Sequence, residues 1–198
     1  MSRNITVGID IGTYQVKVVV AEKSTGRNLP RVLGTGYAES KGIKHGYKIN
    51  TDNITQSLLI AKRQAEKVSG HAIKKAYLSV GGIGLGSVIS NGSVVISRAD
   101  SHITTDDIEK SIEEAEKNIQ EAQIINRKII HTIPIKQRID GNPVLGRPID
   151  MKGSKLESEV LFITALENHV NDLIEAVEDA DIEVIDVMAS PIAASFIT

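Results

Sequence analysis

Residues 5–20 contain two β-like runs separated by a short polar turn, and this stretch constrains the fold most. In the first run, isoleucine and valine alternate with threonine, glycine and aspartate, which is the period of a strand with one face against a core. A second β-branched run begins at Val16, shortly after Gly12. A connection this short cannot contain a crossover helix, so the two runs are predicted to form an antiparallel hairpin. Asp10 then lies at the end of its first strand.

The turn of this hairpin carries groups that suit a phosphate ligand. Gly12 lets the backbone come close to a ligand, and successive N–H groups from Gly12 to Gln15 can form a concave nest for phosphate oxygens. Lys17 supplies a positive charge, whereas Asp10 would repel a phosphate unless a cation such as hydrated Mg²⁺ lay between them. These residues alone fit a magnesium–phosphate site and a plain hairpin with a solvated lysine equally well. The candidate cofactor-binding residues are Asp10, Gly12, Thr13, Tyr14 and Lys17, with Asp10 as the Mg²⁺ residue through water.

Composition narrows the class of protein. A chain of 198 residues with 41% hydrophobic and 24% charged residues is typical of a globular protein of one or two domains. Aromatic residues make up only 3% and the net charge is -2, so neither base stacking nor a basic field favours nucleic acid. The chain has no cysteine, which excludes disulfides and thiolate metal sites. No run approaches the roughly 20 apolar residues of a membrane helix, and no secretory signal is recognisable.

The first part of the chain has the element order β-β-β-α-β. A third strand is predicted over 31–40, and a helix capped by Asn50 or Thr51 is predicted to end near Val68, before a stop at Gly70. A further strand is predicted over 73–80. The connecting segments are a turn over 24–30 and a flexible, basic loop over 41–46. This order is the opening of a ribonuclease-H-like α/β half.

The glycine-rich run over 81–86 resembles a phosphate loop only superficially. The residues that follow, 87–96, predict a strand and a turn around Asn91 and Gly92, so no helix N-terminus is available to hold an anion. We therefore interpret the run as a hinge and a domain boundary.

The middle of the chain predicts a different pattern of elements. A helix is predicted from Thr104 to Ala122, with a capping box to Asp107, a buried stripe and an acidic opposite face. Strands are predicted over 126–134, where Pro134 favours an edge, and over 156–165, which is apolar on both sides and is expected to be covered on both. A helix around residues 170–177, a strand over 182–188 that rejoins the first sheet, and a last helix after Ser190 complete the prediction.

The N-terminal motif resembles that of a known superfamily. The pattern Asp10-x-Gly12-Thr13-x-x-x-Lys17 within a strand pair is similar to the first phosphate loop of the actin, Hsp70 and sugar-kinase superfamily. The resemblance implies that the aspartate reaches the metal through water, the Gly-Thr turn cradles the phosphates and the lysine contacts them.

Several later segments narrow the resemblance to the FtsA family of bacterial cell-division actin homologues. They are Ser90-Asn91-Gly92 with Ile96-Ser97-Arg98, Ile103-Thr104-x-x-Asp107-Ile108, Asn126-Arg127-x-Ile129-x-His131-x-Ile133-Pro134, Ile139-Asp140-Gly141, Pro148 to Gly153, Leu156-Glu157 and Ser190-Pro191-x-Ala193-x-Ser195. The resemblance implies an actin-like subdomain 1A with an inserted strand-helix-strand-strand (SHS2-type, α+β) subdomain 1C. We expect residues 1–83 to begin subdomain 1A, 84–180 to form subdomain 1C, and 181–198 to return to subdomain 1A.

The FtsA resemblance also implies a function. It implies a protein that binds ATP and Mg²⁺, polymerises, and links the tubulin-like division protein FtsZ to the cytoplasmic face of the membrane at the division site. Subdomain 1C would contact a neighbouring filament subunit and later division proteins. The family's second phosphate loop, second lobe, FtsZ-binding surface and membrane helix have no counterpart here, so we expect a fragment that binds nucleotide weakly at best. No catalytic residue is assigned, and any ATPase activity of the full-length protein is expected to be weak.

Other functions remain open from the sequence. A pilus-assembly actin-like scaffold has a similar phosphate loop and a similarly placed insertion, and the segment over 126–141 favours cell division over it. A non-nucleotide-binding interaction module is the second alternative. A sugar kinase or chaperone ATPase is the third, but kinase chemistry would need a carboxylate from another half. The five histidines have no spacing typical of a metal site.

Overall fold

A computed structural model describes residues 4–23, 30–44, 47–48, 50–82 and 84–196. The chain forms two compact units, one from Met1–Leu85 with Ala165–Thr198 and the other from Gly86–Thr164. The second unit is therefore inserted into the first, and it begins at the last residue of the glycine-rich run.

The first unit is an α/β layer. Its elements are β1 (Ile5–Ile11), β2 (Gln15–Glu22), β3 (Arg31–Glu39), β4 (Ile43–Lys44), β5 (Tyr47–Lys48), α1 (Thr51–Ser69), β6 (Lys75–Val80), α4 (Glu167–Glu178), β11 (Glu183–Ala189) and α5 (Ser190–Ser195). Five of the strands form one sheet in the order β11-β6-β1-β2-β3. Strand β2 pairs antiparallel with β1 on one side and with β3 on the other. Strand β6 pairs parallel with β1, and β11 pairs parallel with β6. The predicted hairpin, the predicted sequence of elements along the chain and the return of the chain to the first sheet are confirmed.

Helix α1 covers one face of this sheet. It begins after Asn50, whose side chain accepts a hydrogen bond from the backbone N–H of Asn53, and it ends at Gly70 in the left-handed conformation, with φ 71°. Both ends match the predicted signals. The helix buries Ile54 and Leu58 completely. It lies so close to β3 that a Cβ added at Gly36 would come within 1.8 Å of a helix carbonyl oxygen.

Helix α4 belongs to the first unit, which corrects the predicted extent of the insertion. We expected the inserted subdomain to run over 84–180, but the second unit ends at Thr164. Helix α4 packs beside α1, where the Thr55 hydroxyl donates to the Ala176 carbonyl at 3.4 Å and Lys62 Nζ donates to the Ala180 carbonyl at 2.8 Å. The apolar stripe of α4 suits either sheet, so the sequence pattern did not assign the helix to one unit.

The second unit is an antiparallel sheet with helices on one face. Its elements are β7 (Gly86–Val95), α2 (Thr105–Lys117), α3 (Glu121–Ile124), β8 (Arg127–Ile139), β9 (Asn142–Val144) and β10 (Lys155–Leu166), the last of which extends past the unit boundary. The strand order is β7-β10-β8-β9. Strand, helix, strand and strand follow one another as predicted, with the short β9 added through a hairpin turn at Asp140 and Gly141, both with positive φ.

Helix α2 begins at the predicted capping residue. The Asp107 carboxylate accepts hydrogen bonds from the Thr104 N–H and hydroxyl, each at 2.8 Å, and pairs with the Arg98 guanidinium. The Arg98 hydrogen bond, helped by those of Thr104, lowers the pKa of the Asp107 carboxyl to about 2. The helix ends at Lys117 rather than at Ala122, because the chain turns there and places Ile119 in a cluster with Phe162.

Two other predictions for the second unit were wrong in detail. Asn91 and Gly92 lie in the middle of the unbroken strand β7 and not in a turn. Strand β10 buries Val160 and Phe162 on one face, whereas Leu161 on the other face is only half-buried. The β10 strand is therefore covered by helix on one side only within the second unit.

Some predictions fall outside the described residues. The turn over 24–30 is described only at Pro30, and residues 45–46 of the predicted flexible loop are likewise not described. Within the part of the chain that the structure describes, no helix is long and apolar enough to cross a membrane.

Candidate functional site

The hairpin brings Asp10 and Lys17 together. They are direct partners in the β1–β2 ladder, and Lys17 Nζ lies 3.6 Å from Asp10 Oδ2. Because side chains alternate along a strand, both lie on the sheet face opposite the buried Ile9 and Val18. Their side chains are 40% and 48% exposed, and an ion pair this exposed contributes little to stability. Both groups are therefore available to a ligand at small cost to the fold.

The turn at the end of the hairpin differs from the predicted nest in one respect. The Gly12 N–H donates to the Gln15 carbonyl at 3.1 Å, which closes the turn. The Gly12 N–H is thus engaged within the turn, which leaves Thr13 and Tyr14 as the turn residues that a ligand could contact. The Ser40 N–H donates to the Tyr14 carbonyl at 3.0 Å and ties the turn to the end of β3. Thr13 and Tyr14 are exposed, so their backbone can be reached.

Two serines that sequence reasoning missed lie beside the hairpin. Ser79 on β6 is the ladder partner of Asp10. Its hydroxyl lies 2.7 Å from the hydroxyl of Ser190, the first residue of α5, which directly follows β11. A Cβ added at Gly81 would come within 2.8 Å of the Ser190 hydroxyl oxygen. Ser190 was interpreted only as the start of a helix, because the parallel β1–β6–β11 register that places it here is not visible in the sequence.

These residues surround the carboxyl ends of three neighbouring parallel strands. Ligands of open α/β sheets bind at that edge. The edge offers one carboxylate, one ammonium group and the hydroxyls of Thr13, Ser79 and Ser190. An ammonium group and hydroxyls suit phosphate oxygens, and a lone carboxylate suits a Mg²⁺ ion that keeps most of its waters. The donor set thus fits a magnesium–phosphate group.

A metal held directly by protein side chains fits less well. Among the residues that the structure describes, no three His, Cys, Asp or Glu side chains are grouped closely enough to hold a metal ion. Asp10 alone therefore fits the predicted contact through water better than direct coordination.

A cavity of about 430 Å³ in the second unit does not replace the hairpin as the candidate site. Its lining includes Lys136, Arg138, Glu157 and Glu159. Lys136 lies 3.9 Å from Glu159 across the sheet, and Glu157 is paired with Lys155 at 2.8 Å. The Lys136–Glu159 pair joins neighbouring strands and the Lys155–Glu157 pair runs along one strand, so both stabilise this sheet face.

Residues 82–164 match a family model described as the SHS2 domain inserted in FTSA. The match covers the whole second unit, which begins at Gly86 and ends at Thr164. The matched segment begins within the glycine-rich run and stops before α4, in agreement with the corrected boundary.

Curated relatives match along the whole chain. The cell division protein FtsA of Borreliella burgdorferi is 33% identical over 198 residues, which is 100% of this chain and 47% of that protein. The FtsA of Bacillus subtilis is 31% identical over 98% of this chain and 43% of its own length. The chain thus spans about half the length of these relatives.

A solved structure shows the same fold. It is the PilM-PilN type IV pilus biogenesis complex, which matches with a TM-score of 0.61 over 98% of this chain and 50% of the other, at 16% sequence identity. At that identity the likeness concerns the fold alone, so it does not favour a role in pilus assembly. Together these comparisons lead to one conclusion: this chain is similar to FtsA cell-division proteins along its whole length and contains the SHS2 domain that is inserted in FtsA.

Proposed function

We propose that this chain forms the phosphate-binding half of an actin-like cell-division protein that binds ATP with Mg²⁺. The observation that carries the proposal is the pairing of Asp10 with Lys17 on the open face of the sheet, next to the turn. Lys17 would contact the phosphates, Thr13 and Tyr14 would add N–H and hydroxyl contacts, and Asp10 would hold Mg²⁺ through water. Gly12 shapes the turn rather than donating to the phosphates.

The serine pair refines this site. The Ser79 and Ser190 hydroxyls lie 2.7 Å apart, so one donates a hydrogen bond to the other. Because each hydroxyl can rotate its proton, either one can donate to a phosphate oxygen or to a magnesium-bound water beside Asp10. When Mg²⁺ binds, it supplies positive charge that offsets the repulsion between the carboxylate and the phosphates.

The proposal for the function of the whole protein is based on the length and the names of the relatives. The relatives are about twice as long as this chain. We propose that their remaining half supplies a second phosphate loop, the surface that binds FtsZ and the helix that binds the membrane. Polymerisation would then tether FtsZ to the cytoplasmic face of the membrane at the division site. With one half of the nucleotide clamp, this chain would bind ATP weakly and would have no appreciable ATPase activity.

The second unit is proposed to contact a neighbouring filament subunit and later division proteins. The exposed face of α2 carries Glu113 and Glu116, and Glu114 is held by Lys117 at 2.7 Å. This acidic face is not needed for packing on the sheet, so its charge can serve a partner with a basic surface.

A binding titration tests the nucleotide proposal. ATP is titrated calorimetrically into the 198-residue chain with Mg²⁺ and again with EDTA. We expect weak, Mg²⁺-dependent binding that Lys17→Ala and Asp10→Asn each reduce.

The matched control is Lys75→Ala. Lys75 is also an exposed strand lysine paired with a carboxylate, Glu183, at 2.9 Å, but it lies at the first residue of β6, the end remote from the hairpin turn. Equal loss of binding in Lys75→Ala and Lys17→Ala, or unchanged binding in all variants, would contradict the proposal.

A further inference from the structure

Strand β7 has an unpaired edge. It is the terminal strand of its sheet, with β10 on one side and no other described strand on the other. The ladder with β10 runs without a register shift from Gly86 to Val95. Ten consecutive residues therefore present one regular edge.

The hydrogen-bonding pattern shows which groups face this edge. The Ile96 N–H donates to the Ser154 carbonyl at 2.8 Å, one step beyond the pairing of Val95 with Lys155. Bonded pairs alternate along an antiparallel ladder, so the even-numbered residues bond β10. The backbone N–H and C=O groups that point to the free edge are those of Ser87, Ile89, Asn91, Ser93 and Val95.

A side chain already occupies one of these positions. Asn118 Nδ2, just after α2, donates to the Asn91 carbonyl at 2.9 Å. This contact confirms that Asn91 faces the free edge. An amide side chain there imitates the donor of an additional strand.

Strands β3, β11 and β8 carry features that block strand addition, whereas β7 carries none of them. Gln64 accepts from the Tyr37 N–H on β3, a bulge next to Asp186 interrupts β11, and the outer part of β8 carries Pro134 and Lys136. These are the devices by which proteins prevent strand addition. Strand β7 contains no charge, proline or bulge over its whole length. It also exposes Ile89 and Val95, at 58% and 71%.

A groove lies beside this edge. A cavity of about 410 Å³ is lined only by uncharged residues, which are Ile89, Ser90, Asn91, Asn118, Ile119, Gln120 and Gln123. A strand added to β7 would direct alternate side chains into this groove and the others beside Ile89 and Val95. The groove therefore suits uncharged side chains.

A second copy of the chain does not fit the edge. A Cβ added at Gly92 would lie 2.1 Å from the Ser111 carbonyl oxygen, so α2 lies directly over β7. Antiparallel pairing of two β7 strands would place two α2 helices over strands about 4.8 Å apart. Packed helices need about 8–10 Å between their axes. The occupant must therefore be a strand without a helix over that face.

We propose that β7 binds an extended, uncharged segment of another protein, rich in β-branched residues, as an additional strand of this sheet. Main-chain hydrogen bonds to the odd-numbered residues would supply affinity, and the groove would select the side chains. Asn118 keeps the Asn91 carbonyl satisfied until the segment arrives. This surface is separate from the acidic face of α2 and does not depend on nucleotide binding.

The test uses a phage-displayed library of random ten-residue peptides selected against the 198-residue chain. The selected peptides are expected to be uncharged and rich in Val, Ile and Thr. Ser93→Pro removes one free-edge N–H but leaves the bonds to β10, and should weaken their binding by about tenfold. The matched control, Ser93→Ala, keeps that N–H and should bind like the wild type.

Hydrogen exchange locates the bound peptide. Its binding should protect the amides of Ile89, Ser93 and Val95. If Ser93→Pro fails to fold, Val95→Lys replaces it and should also weaken binding, with Thr132→Lys on β8 as its control. The proposal is overturned if no peptide is selected, if the peptides bind the edge variants as tightly as the wild type, or if the odd-numbered amides gain no protection.

Discussion

Replacing Gly36 with alanine tests how closely α1 is packed on the first sheet. Gly36 lies on β3 opposite Val18 of β2. A Cβ added there would lie 1.8 Å from the Ala61 carbonyl oxygen and 2.8 Å from the Ala65 nitrogen. The obstacle is helix backbone, which cannot rotate away as a side chain can. The helix would have to move outward as a body.

The expected cost follows from this displacement. Restoring a Cβ to O distance of 3.0 Å, the lower limit of tight contacts, requires a shift of 1.2 Å from the present 1.8 Å. Such a shift loosens the contacts of the completely buried Ile54 and Leu58. Overpacking of this kind costs about 1–3 kcal/mol, and we expect the upper end because the whole helix must move. Relief of glycine's chain entropy in a strand offsets about 0.5 kcal/mol of that cost.

Tyrosine fluorescence monitors the unfolding of the first unit, which contains Gly36. The chain has no tryptophan, and its four tyrosines, Tyr14, Tyr37, Tyr47 and Tyr77, all lie in the segment Met1–Leu85. Urea unfolding followed by tyrosine emission therefore reports on the first unit and not on the second. We expect Gly36→Ala to lower the transition midpoint by about 1 M urea.

Gly8→Ala is the matched control. Gly8 is also a strand glycine of the same sheet, but a Cβ added there meets nothing within 4 Å. We expect its free energy of unfolding to equal that of the wild type or to rise slightly. Stability of Gly36→Ala within about 0.5 kcal/mol of the wild type, or an equal loss in Gly8→Ala, would refute the reasoning.

Three further predictions concern the second unit. Asp107→Asn should lower the free energy of unfolding of the second unit by about 2 kcal/mol at neutral pH, because the Arg98 hydrogen bond depresses the pKa of the Asp107 carboxyl from 3.8 to about 2. The difference from the wild type, measured by far-UV circular dichroism, should vanish as the pH falls from about 4 to about 2. A similar loss of stability in the exposed Asp106→Asn would contradict this cause. Asp140→Ala should lower the free energy of unfolding of the second unit by about 1–2 kcal/mol, because the carboxylate accepts hydrogen bonds from the Ser154 and Lys155 N–H groups at 2.9–3.1 Å. Unchanged amide hydrogen exchange at the β8–β9 hairpin would count against this prediction. Charge reversal at Glu113, Glu114 and Glu116 on the acidic α2 face should weaken self-association and partner binding without unfolding the chain. Sedimentation and pull-down assays measure both, and unchanged association would remove this helix from the proposed surface.

Local patterns predicted the elements of this fold better than they predicted their assembly. The alternation around Asp10, the Asn50 cap and the Gly70 stop each depend on neighbours in the sequence, and the structure has all three where they were expected. The antiparallel pairing of β1 with β2 followed from the length of the turn alone, because a connection this short permits only a hairpin.

Features that depend on contacts between distant segments were not predictable. Asn91 and Gly92 have the composition of a turn, yet Gly92 lies within a strand because α2 approaches too closely for any Cβ. Helix α4 joined the first unit through its contacts with α1, more than a hundred residues earlier. Of the candidate site, the Asp10–Lys17 pair followed from the hairpin, whereas Ser79 and Ser190 required the parallel β1–β6–β11 register.

The most direct test of the account is a nuclear magnetic resonance titration of the chain with ATP and Mg²⁺. We expect weak binding, with a dissociation constant above the micromolar range, and shifts concentrated at Thr13, Tyr14 and Ser79 that disappear in Lys17→Ala and persist in Lys75→Ala. Micromolar or tighter affinity would contradict the expectation that half of the clamp binds weakly. Shifts confined to other residues, or unaltered by Lys17→Ala, would contradict the assignment of the hairpin as the phosphate site.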